Sequence, residues 1–332
     1  MFSRISVLCL AGLLLACGGE PAPSADPDGG LTPVLLQTDW YAQPEHAGFY
    51  QAQLDGLYEA AGLAVEIRPG ANMTNVPQMV ATGRIQFALG TTDNLFMAAS
   101  RGAPLVALVP YFQHDPQCVM FHASNNIESL ADLDGRVVMI NPGAAYVQYL
   151  QKALQIKPQL VPLDYGLARF LADPEFIQQC FVTSEPYYVA QQGVQASVLR
   201  LSSSGFDPYR VVYTNRRLLE ESPELVRAFV TASLEGWARY QAGDGTRVHA
   251  HLQTLNPQQT TEFAAWTKNA IDEYELIYGD EQAGETLGHF DRARLEAHLG
   301  HLDAIDLLDR PLDLDSVVAF ELQALVRRDS GS

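Results

Sequence analysis

Short apolar runs alternate with amphipathic helical segments from Thr32 onward, and this alternation constrains the fold more than any other feature of the chain. Residues 34–36 predict a first strand, and apolar side chains at helical spacing over residues 50–61 predict the helix that follows. The same alternation continues to residue 110. Repeated β-α units form mostly parallel sheets with helices packed on their faces. The sequence therefore predicts an α/β fold.

A second β-α series begins near Cys118, and only helical segments follow residue 213. Two α/β series with a helical C-terminal return predict two lobes with mixed, mostly parallel sheets, the second lobe inserted into the first. The predicted bounds are residues 32–115 and 215–328 for lobe 1 and residues 116–214 for lobe 2. Ligands of such open sheets bind at the carboxyl ends of the strands, which here face the cleft between the lobes.

The N-terminus carries the features of an export signal. Arg4 precedes an apolar run over residues 5–16 that is too short to span a bilayer. The ending Leu14-Leu15-Ala16-Cys17 resembles a bacterial lipobox, which implies cleavage after residue 16 and lipid attachment at Cys17. An ordinary signal peptide is the alternative. Residues 17–31, rich in Gly, Pro, Ser and Asp, predict a flexible tether to a membrane on the exported side.

The charge balance restricts the partners. The chain has 21 basic and 39 acidic residues, and its formal net charge is −18. This acidity argues against a nucleic acid or an anionic membrane face as a partner, and weakly against highly charged anions as ligands.

The cysteines do not form the framework of a disulfide-rich fold. Cys9 leaves with the predicted signal peptide and Cys17 is the predicted lipidation site, so Cys118 and Cys180 remain. The exported compartment would permit these two to pair, but buried free thiols are the favoured interpretation.

Candidate ligand-binding residues in lobe 1 follow its predicted strands. Asp39, Trp40 and His46 offer a carboxylate, a ring and an imidazole after the first strand. Thr92 and Asp93 begin a helix after the third, where hydroxyl and backbone N–H groups suit a polar ligand group. The alternatives are structural: Trp40 covers the core, His46 helps to begin a helix, and a threonine caps one.

Candidate residues in lobe 2 lie at the corresponding positions. Gly143 and Tyr146 belong to a strand-to-helix turn, and Glu185 and Tyr187 follow another predicted strand. A carboxylate at Glu185 can accept two hydrogen bonds from an amino-substituted heterocycle, although a glutamate at a helix start is also favoured by the helix dipole. Tyr187 or Tyr188 can stack on a flat ring opposite Trp40.

Several segments closely resemble the periplasmic binding proteins for pyrimidine precursors of thiamine and their relatives, a group that includes binders of taurine and nitrate. The segments are Asp39-Trp40, Pro44-Glu45-His46, GLAVEI at 62–67, GRIQFALG at 83–90, DLDGR at 132–136 and SEPY at 184–187. The similarity extends from residue 32 to about residue 240. It implies the type II periplasmic-binding-protein fold and a monomeric, lipid-anchored solute receptor that serves an ABC permease in the cytoplasmic membrane.

The candidate residues also predict how the ligand is held. Trp40 and Tyr187 would sandwich the ring of a thiamine pyrimidine precursor, Glu185 and Asp39 would accept its hydrogen bonds, and His46 with Asp93 would orient the remainder. Closure would be a hinge motion about residues 111–117 and 208–215, because both lobes touch the ligand only in the closed state.

Other ligands and an enzyme are the alternatives. Riboflavin is a second heterocycle, whereas taurine or nitrate would favour cationic groups, and the candidate motifs contain none. The same resemblance includes thiamine-pyrimidine synthases. These enzymes use a lysine and a histidine where this chain has Thr92 and Phe96, and they have a cysteine-rich stretch where this chain reads LSSSGF at 201–206. A Schiff base requires the lysine amine.

The sequence therefore predicts a binding protein without a cofactor. Tyr146 stands where the synthases have a phosphate-binding lysine, which favours an unphosphorylated ligand. His249 with His251, and His298 with His301, have the spacing of paired metal ligands, but the sequence places them on helical surfaces and we predict no metal site.

Overall fold

Two five-stranded mixed sheets form the framework of the computed structural model, which describes residues 30–70 and 75–325. The α/β prediction is confirmed. The predicted signal peptide, Cys17 and the tether up to residue 29 lie outside the described residues. In the first sheet the order is β2 (Leu63–Arg68), β1 (Thr32–Gln37), β3 (Phe87–Thr91), β10 (Arg210–Asn215) and β4 (Leu105–Phe112). In the second it is β7 (Gln159–Pro162), β6 (Val137–Ile140), β8 (Ile177–Phe181), β5 (Gln117–His122) and β9 (Ala196–Arg200).

The strand β10 returns the chain from the second sheet to the first. It follows the five strands of the second sheet in the chain, yet it pairs antiparallel with β3 and β4 of the first. The strands β1, β2 and β3 pair in parallel. We call the body built on the first sheet lobe 1 and that built on the second sheet lobe 2. The predicted lobe boundary at 214/215 falls inside β10.

Helices cover the sheets and form the C-terminal return. In lobe 1 they begin with α1 (Ala47–Leu54), α2 (Leu57–Ala60), α3 (Val76–Ala81) and α4 (Thr92–Ser100), and in lobe 2 they are α5 (Ala145–Lys152), α6 (Ala168–Ala172) and α7 (Glu185–Gln191). The return contains α8 (Arg216–Glu221), α9 (Pro223–Ala242), α10 (Thr246–Leu255), α11 (Thr261–Glu273), α12 (Arg292–Ala304) and α13 (Leu314–Val317). None of the helices in the described ranges has the length and apolar character that a membrane span requires.

Close packing of α1 on α9 fixes the segment that precedes α1. A Cβ atom on Gly48 would lie 2.0 Å from the Trp237 ring, and one on Gly236 would lie 2.3 Å from the carbonyl oxygen of Gly48. Only glycine permits this approach at both positions. Trp237 is completely buried there, and such an aromatic side chain is a large source of burial energy. The predicted ligand-binding segment at 39–46 therefore leads into a rigid helix.

Two histidines of the C-terminal return are buried, which corrects the prediction of surface positions. His249 is joined to the Tyr240 hydroxyl by a hydrogen bond of 2.9 Å, and His298 packs near the rings of Phe96 and Phe206. Burial lowers the pKa of His298 to about 3. Within the described residues, no group of three or more His, Cys, Asp or Glu side chains is arranged to hold a metal ion.

Cys118 and Cys180 form a disulfide, so the expectation of two free thiols is wrong. The two residues lie directly opposite each other in the antiparallel pair β5 and β8, with their Cα atoms 4.9 Å apart. The sequence could not give this register. A buried disulfide is expected of a protein that folds in an oxidising compartment.

Replacing both cysteines by alanine should lower the free energy of unfolding by about 2–5 kcal/mol, because the cross-link closes a long loop, with a sequence separation of 62, in the unfolded chain. Urea unfolding measures the change. A reductant should lower the stability of the wild type and leave the double variant unaffected. A wild-type midpoint that does not respond to the reductant contradicts the assignment.

Candidate functional site

A pocket of about 270 Å³ lies between the two lobes at the ends of their strands. We call it the cleft pocket. Its lining includes four of the predicted site residues: Asp39, Asp93, Gly143 and Tyr146. Its other polar residues are Thr91, Asn94, Asp115, Gln117, Asn141 and Arg210. Both lobes contribute, as expected for a ligand that is enclosed between them.

Arg210 is the centre of charge in the cleft pocket. Its Nη1 atom lies 2.6 Å from Oδ2 of Asp39 and its Nε atom 3.4 Å from Oδ2 of Asp115. Its guanidinium also lies over the Phe181 ring, 5.1 Å from the centroid. Burial lowers the pKa of Arg210, but the charges of Asp115 and Asp39 outweigh it and raise that pKa above its usual value. The guanidinium is therefore cationic and its charge is balanced by two carboxylates, although its Nε–H makes no hydrogen bond within the described residues.

Sequence reasoning missed Arg210, since it placed residues 208–215 in an interlobe crossover instead of recognising the strand that Arg210 begins. The sequence does contain a signal for this strand, the apolar run Val211-Val212-Tyr213, and the charged residue Arg210 stands directly before that run. What the sequence does not reveal is that this strand returns to the first sheet.

Asp39 is also hydrogen-bonded to His46, which lies behind Arg210. The Nε2 atom of buried His46 donates to Oδ1 of Asp39 at 2.8 Å. Burial raises the pKa of Asp39, but the hydrogen bond from His46 and the charge of Arg210 outweigh it and hold that pKa well below its usual range. Asp39 thus remains ionised with both oxygens engaged, and His46 positions it from behind the pocket.

Asp93 is the pocket carboxylate with unused hydrogen-bonding capacity. It is buried in the first turn of α4, and its Oδ1 atom has no hydrogen-bond partner among the described residues. Burial raises its pKa, although Thr91 and the Asn94 backbone oppose that shift. Thr92, the other predicted residue here, is fully buried beside the pocket, and Thr91 lines it instead.

Lobe 2 contributes a polar turn whose members hold each other in place. The Tyr146 hydroxyl donates to Oε1 of Gln179 at 2.5 Å, and the same oxygen accepts the backbone N–H of Asn141 at 2.9 Å. The N–H of Gly143 in turn donates to Oδ1 of Asn141 at 3.1 Å. Burial is the main cause that raises the pKa of Tyr146, so the phenol stays neutral.

Glu185 and Tyr187 do not line the cleft pocket. Glu185 begins α7, and its Oε2 atom accepts the backbone N–H of Phe181 at 2.7 Å, as a helix-start glutamate does. Burial raises its pKa to about 6. Tyr187 packs on Phe263 and Trp266 of α11, with ring centroids 5.1 and 5.4 Å away.

The aromatic ring that faces Trp40 is Tyr165, so the predicted pairing of Trp40 with Tyr187 is wrong. The two ring centroids are 5.5 Å apart. Tyr165 lies in the loop between β7 and α6, which has no periodic pattern. Nothing in the sequence distinguishes it from the other tyrosines.

Arg210→Met should lower the free energy of unfolding by about 3 kcal/mol, because it leaves Asp39 and Asp115 as largely buried carboxylates without their cation. Denaturant unfolding at pH 7 measures this. The control Arg217→Met breaks an exposed ion pair with Glu221 and should cost less than about 1 kcal/mol. Adding Asp39→Asn should restore part of the loss. Equal costs for Arg210→Met and Arg217→Met contradict the role of Arg210.

The slope of stability against pH should depend on Asp115, whose pKa burial raises to about 6. Because this value lies above that of an unfolded aspartate, near 4, the folded state binds the proton more tightly. Stability should therefore fall as the pH rises from about 4 to about 6. Asp115→Asn should reduce this slope, although Glu185 also contributes to it. The control substitution Asp303→Asn, at an exposed position, should leave the slope unchanged. An unchanged slope contradicts the assignment.

The family profile described as NMT1/THI5 like matches residues 43–242 of this chain, which is more than half of its length. The formylaminopyrimidine-binding protein of Halalkalibacterium halodurans is 26% identical over 325 residues, which cover 94% of this chain and 96% of that protein. A riboflavin-binding protein of Chloroflexus aurantiacus is also 26% identical, over a region that covers 82% of this chain and 83% of that protein.

Enzymes occur among the relatives as well. A 4-amino-5-hydroxymethyl-2-methylpyrimidine phosphate synthase of Saccharomyces cerevisiae is 23% identical, covering 70% of this chain and 73% of the enzyme. The periplasmic aliphatic sulphonate binding protein of Escherichia coli superposes with a TM-score of 0.66 at 15% identity, covering 86% of this chain and 91% of that one. The fold is therefore that of periplasmic binding proteins, and the chain belongs to the NMT1/THI5 like family.

Proposed function

We propose that this protein is the solute-binding lipoprotein of an ABC-type importer and that it captures a small, flat nitrogen heterocycle by hinge closure of its two lobes. A thiamine pyrimidine precursor is the first choice of ligand. The family membership and the relative named for formylaminopyrimidine support this choice. No catalytic residue is assigned.

The charge of the cleft pocket is the observation that carries the proposal. Three aspartates, Asp39, Asp93 and Asp115, face one guanidinium, which is paired with two of them. The unpartnered oxygen of Asp93 and the excess of acceptors fit a ligand that presents N–H donors. An amino-substituted pyrimidine has such donors at the edge of a flat ring.

Anionic solutes fit this pocket poorly. Taurine and nitrate need cations or N–H groups that are free to bind them. The argument from the sequence against such ligands did not include Arg210. Its charge is balanced by Asp39 and Asp115, so the argument from charge still holds, although the Nε–H of Arg210 makes no hydrogen bond within the described residues. Riboflavin remains the second candidate, because it is also a flat nitrogen heterocycle and a relative is named for it.

A thiamine-pyrimidine synthase is the enzyme alternative. Thr92 and Phe96, which stand where the resemblance places the catalytic lysine and histidine, are both fully buried in α4. Neither side chain can supply an amine nucleophile. A binding protein without a cofactor is therefore the better proposal.

Export and anchoring belong to the same proposal. The disulfide between Cys118 and Cys180 fits an oxidising compartment outside the cytosol. Lipid on Cys17 would hold the receptor, as a monomer, near the permease that accepts its closed form.

A panel of thiamine pyrimidine precursors, riboflavin, taurine and nitrate tests the ligand class by thermal shift. At 100 times its dissociation constant a solute should add about 2.7 kcal/mol of stability. We expect a pyrimidine to shift the melting temperature and the two anions to leave it unchanged.

Asp93→Asn should weaken the binding of that pyrimidine by roughly 10- to 100-fold, because a charge-assisted hydrogen bond contributes about 1.5–3 kcal/mol. The control is the substitution Asp303→Asn, at an exposed position. A shift with taurine alone contradicts the ligand class, and full affinity in Asp93→Asn contradicts the site. Turnover of a substrate by the wild type overturns the proposal as a whole.

A further inference from the structure

Two exposed aromatic rings from different lobes contact each other. Trp40 follows β1 in lobe 1, and Tyr165 follows β7 in lobe 2. Their ring centroids are 5.5 Å apart with an interplanar angle of 33°, within the range of favourable aromatic pairs. Trp40 is 37% and Tyr165 67% exposed. Most large aromatic side chains lie in a core, so a contact between two exposed ones on different lobes needs a separate explanation.

Lobe 1 holds the backbone of Trp40 firmly. The Trp40 carbonyl oxygen accepts the Thr38 hydroxyl at 2.8 Å and the backbone N–H of Gly70 at 2.9 Å. Gly70 is required at that position, since a Cβ atom there would lie 1.9 Å from the carbonyl oxygen of Thr38. The Trp40 side chain is thus presented from a fixed backbone.

Lobe 2 presents Tyr165 on an anchored turn. Tyr165 has a left-handed backbone with φ of 61°, which is uncommon for a residue other than glycine. The N–H of Gly166 donates to Oδ1 of Asp164 at 2.8 Å, and the Gly166 carbonyl accepts Nε2 of buried Gln178 at 3.0 Å. This turn directs the ring outward from lobe 2.

Both rings adjoin the cleft pocket. Trp40 is the next residue after Asp39, which lines the pocket. On the opposite side, Gln178 of β8 holds the carbonyl of Gly166, next to Tyr165, and the adjacent Gln179 holds the pocket residues Tyr146 and Asn141. The ring contact therefore joins segments that adjoin the cleft pocket in both lobes.

We propose that Trp40 and Tyr165 form an aromatic clasp that retains a bound solute by holding the two lobes together. The proposal rests on the proposed function and assigns Tyr165 a part in solute binding. Because each ring belongs to a different lobe, closed lobes make the contact and separated lobes lose it. An interaction that exists in one conformation alone shifts the population toward that conformation. The clasp should therefore slow solute release.

A second contact between the lobes keeps variants of the clasp testable. The Thr183 hydroxyl of lobe 2 donates to Oε1 of buried Glu45 in lobe 1 at 2.6 Å. The carbonyl of Thr183 also accepts the hydroxyl of Thr267 in α11 at 2.9 Å. These contacts remain when an exposed ring is removed, so the variants should fold and close.

The test is a double-mutant cycle on the dissociation rate of the panel solute that stabilises the full chain most. Tyr165→Ala should raise this rate about 2- to 12-fold, the range of aromatic pair energies converted at 1.4 kcal/mol per tenfold. Tyr165→Phe should keep the wild-type rate. In a Trp40→Ala background, Tyr165→Ala should have little further effect, because the clasp is already lost.

Tyr41 provides the matched control. Its exposed ring also packs on Trp40, at 5.5 Å, but it belongs to the same lobe. Tyr165→Ala should therefore retain its full effect in a Tyr41→Ala background. Equal effects of Tyr165→Ala with and without Trp40 overturn the clasp, as does an unchanged dissociation rate.

A failure of the proposed function gives a different result. If no solute binds the wild type, the proposed function fails. The clasp can still be tested by X-ray scattering, which measures the radius of gyration of the ligand-free protein. A larger radius in Trp40→Ala and Tyr165→Ala than in the wild type supports it. Identical radii overturn it.

Discussion

The ion cluster around Arg210 is the interaction on which the arrangement of the site depends. One guanidinium joins Asp39 at the end of β1 to Asp115 in the first interlobe crossover, and it does so from the first residue of β10. His46 completes the cluster from the start of α1. A buried charge without its partner is strongly destabilising, so these segments can reach their final positions only together.

The same cluster is connected to the segments that are proposed as the hinge. The Asp115 N–H donates to Oδ1 of Asp207, whose Oδ2 atom lies 2.6 Å from Nδ1 of His114. Arg294 and His114 each contact both Asp207 and Glu285, at 2.6–3.0 Å. Residues of both crossovers are thereby tied to the C-terminal return.

The parts of the molecule that could be predicted from the sequence are those that local pattern determines. The β-α alternation gives the sheets, and strand ends in open sheets converge on one cleft, which is why Asp39, Asp93, Gly143 and Tyr146, all named from the sequence, line one pocket. The pairing of β10, the opposition of Cys118 and Cys180, and the position of Tyr165 depend on contacts between distant segments. A single sequence carries no periodic signal for them.

The pocket charge explains how one fold can serve ligands of opposite sign. This chain superposes on a sulphonate-binding protein, yet fold likeness does not determine the ligand, which depends on the side chains at the site. An arginine in a cleft favours an anion when its positive charge is not already balanced. Here Asp39 and Asp115 balance the charge of Arg210, although its Nε–H makes no hydrogen bond within the described residues. The pocket therefore has no surplus of positive charge, and the unpartnered Oδ1 of Asp93 offers an acceptor, which supports the proposal of a solute with N–H donors.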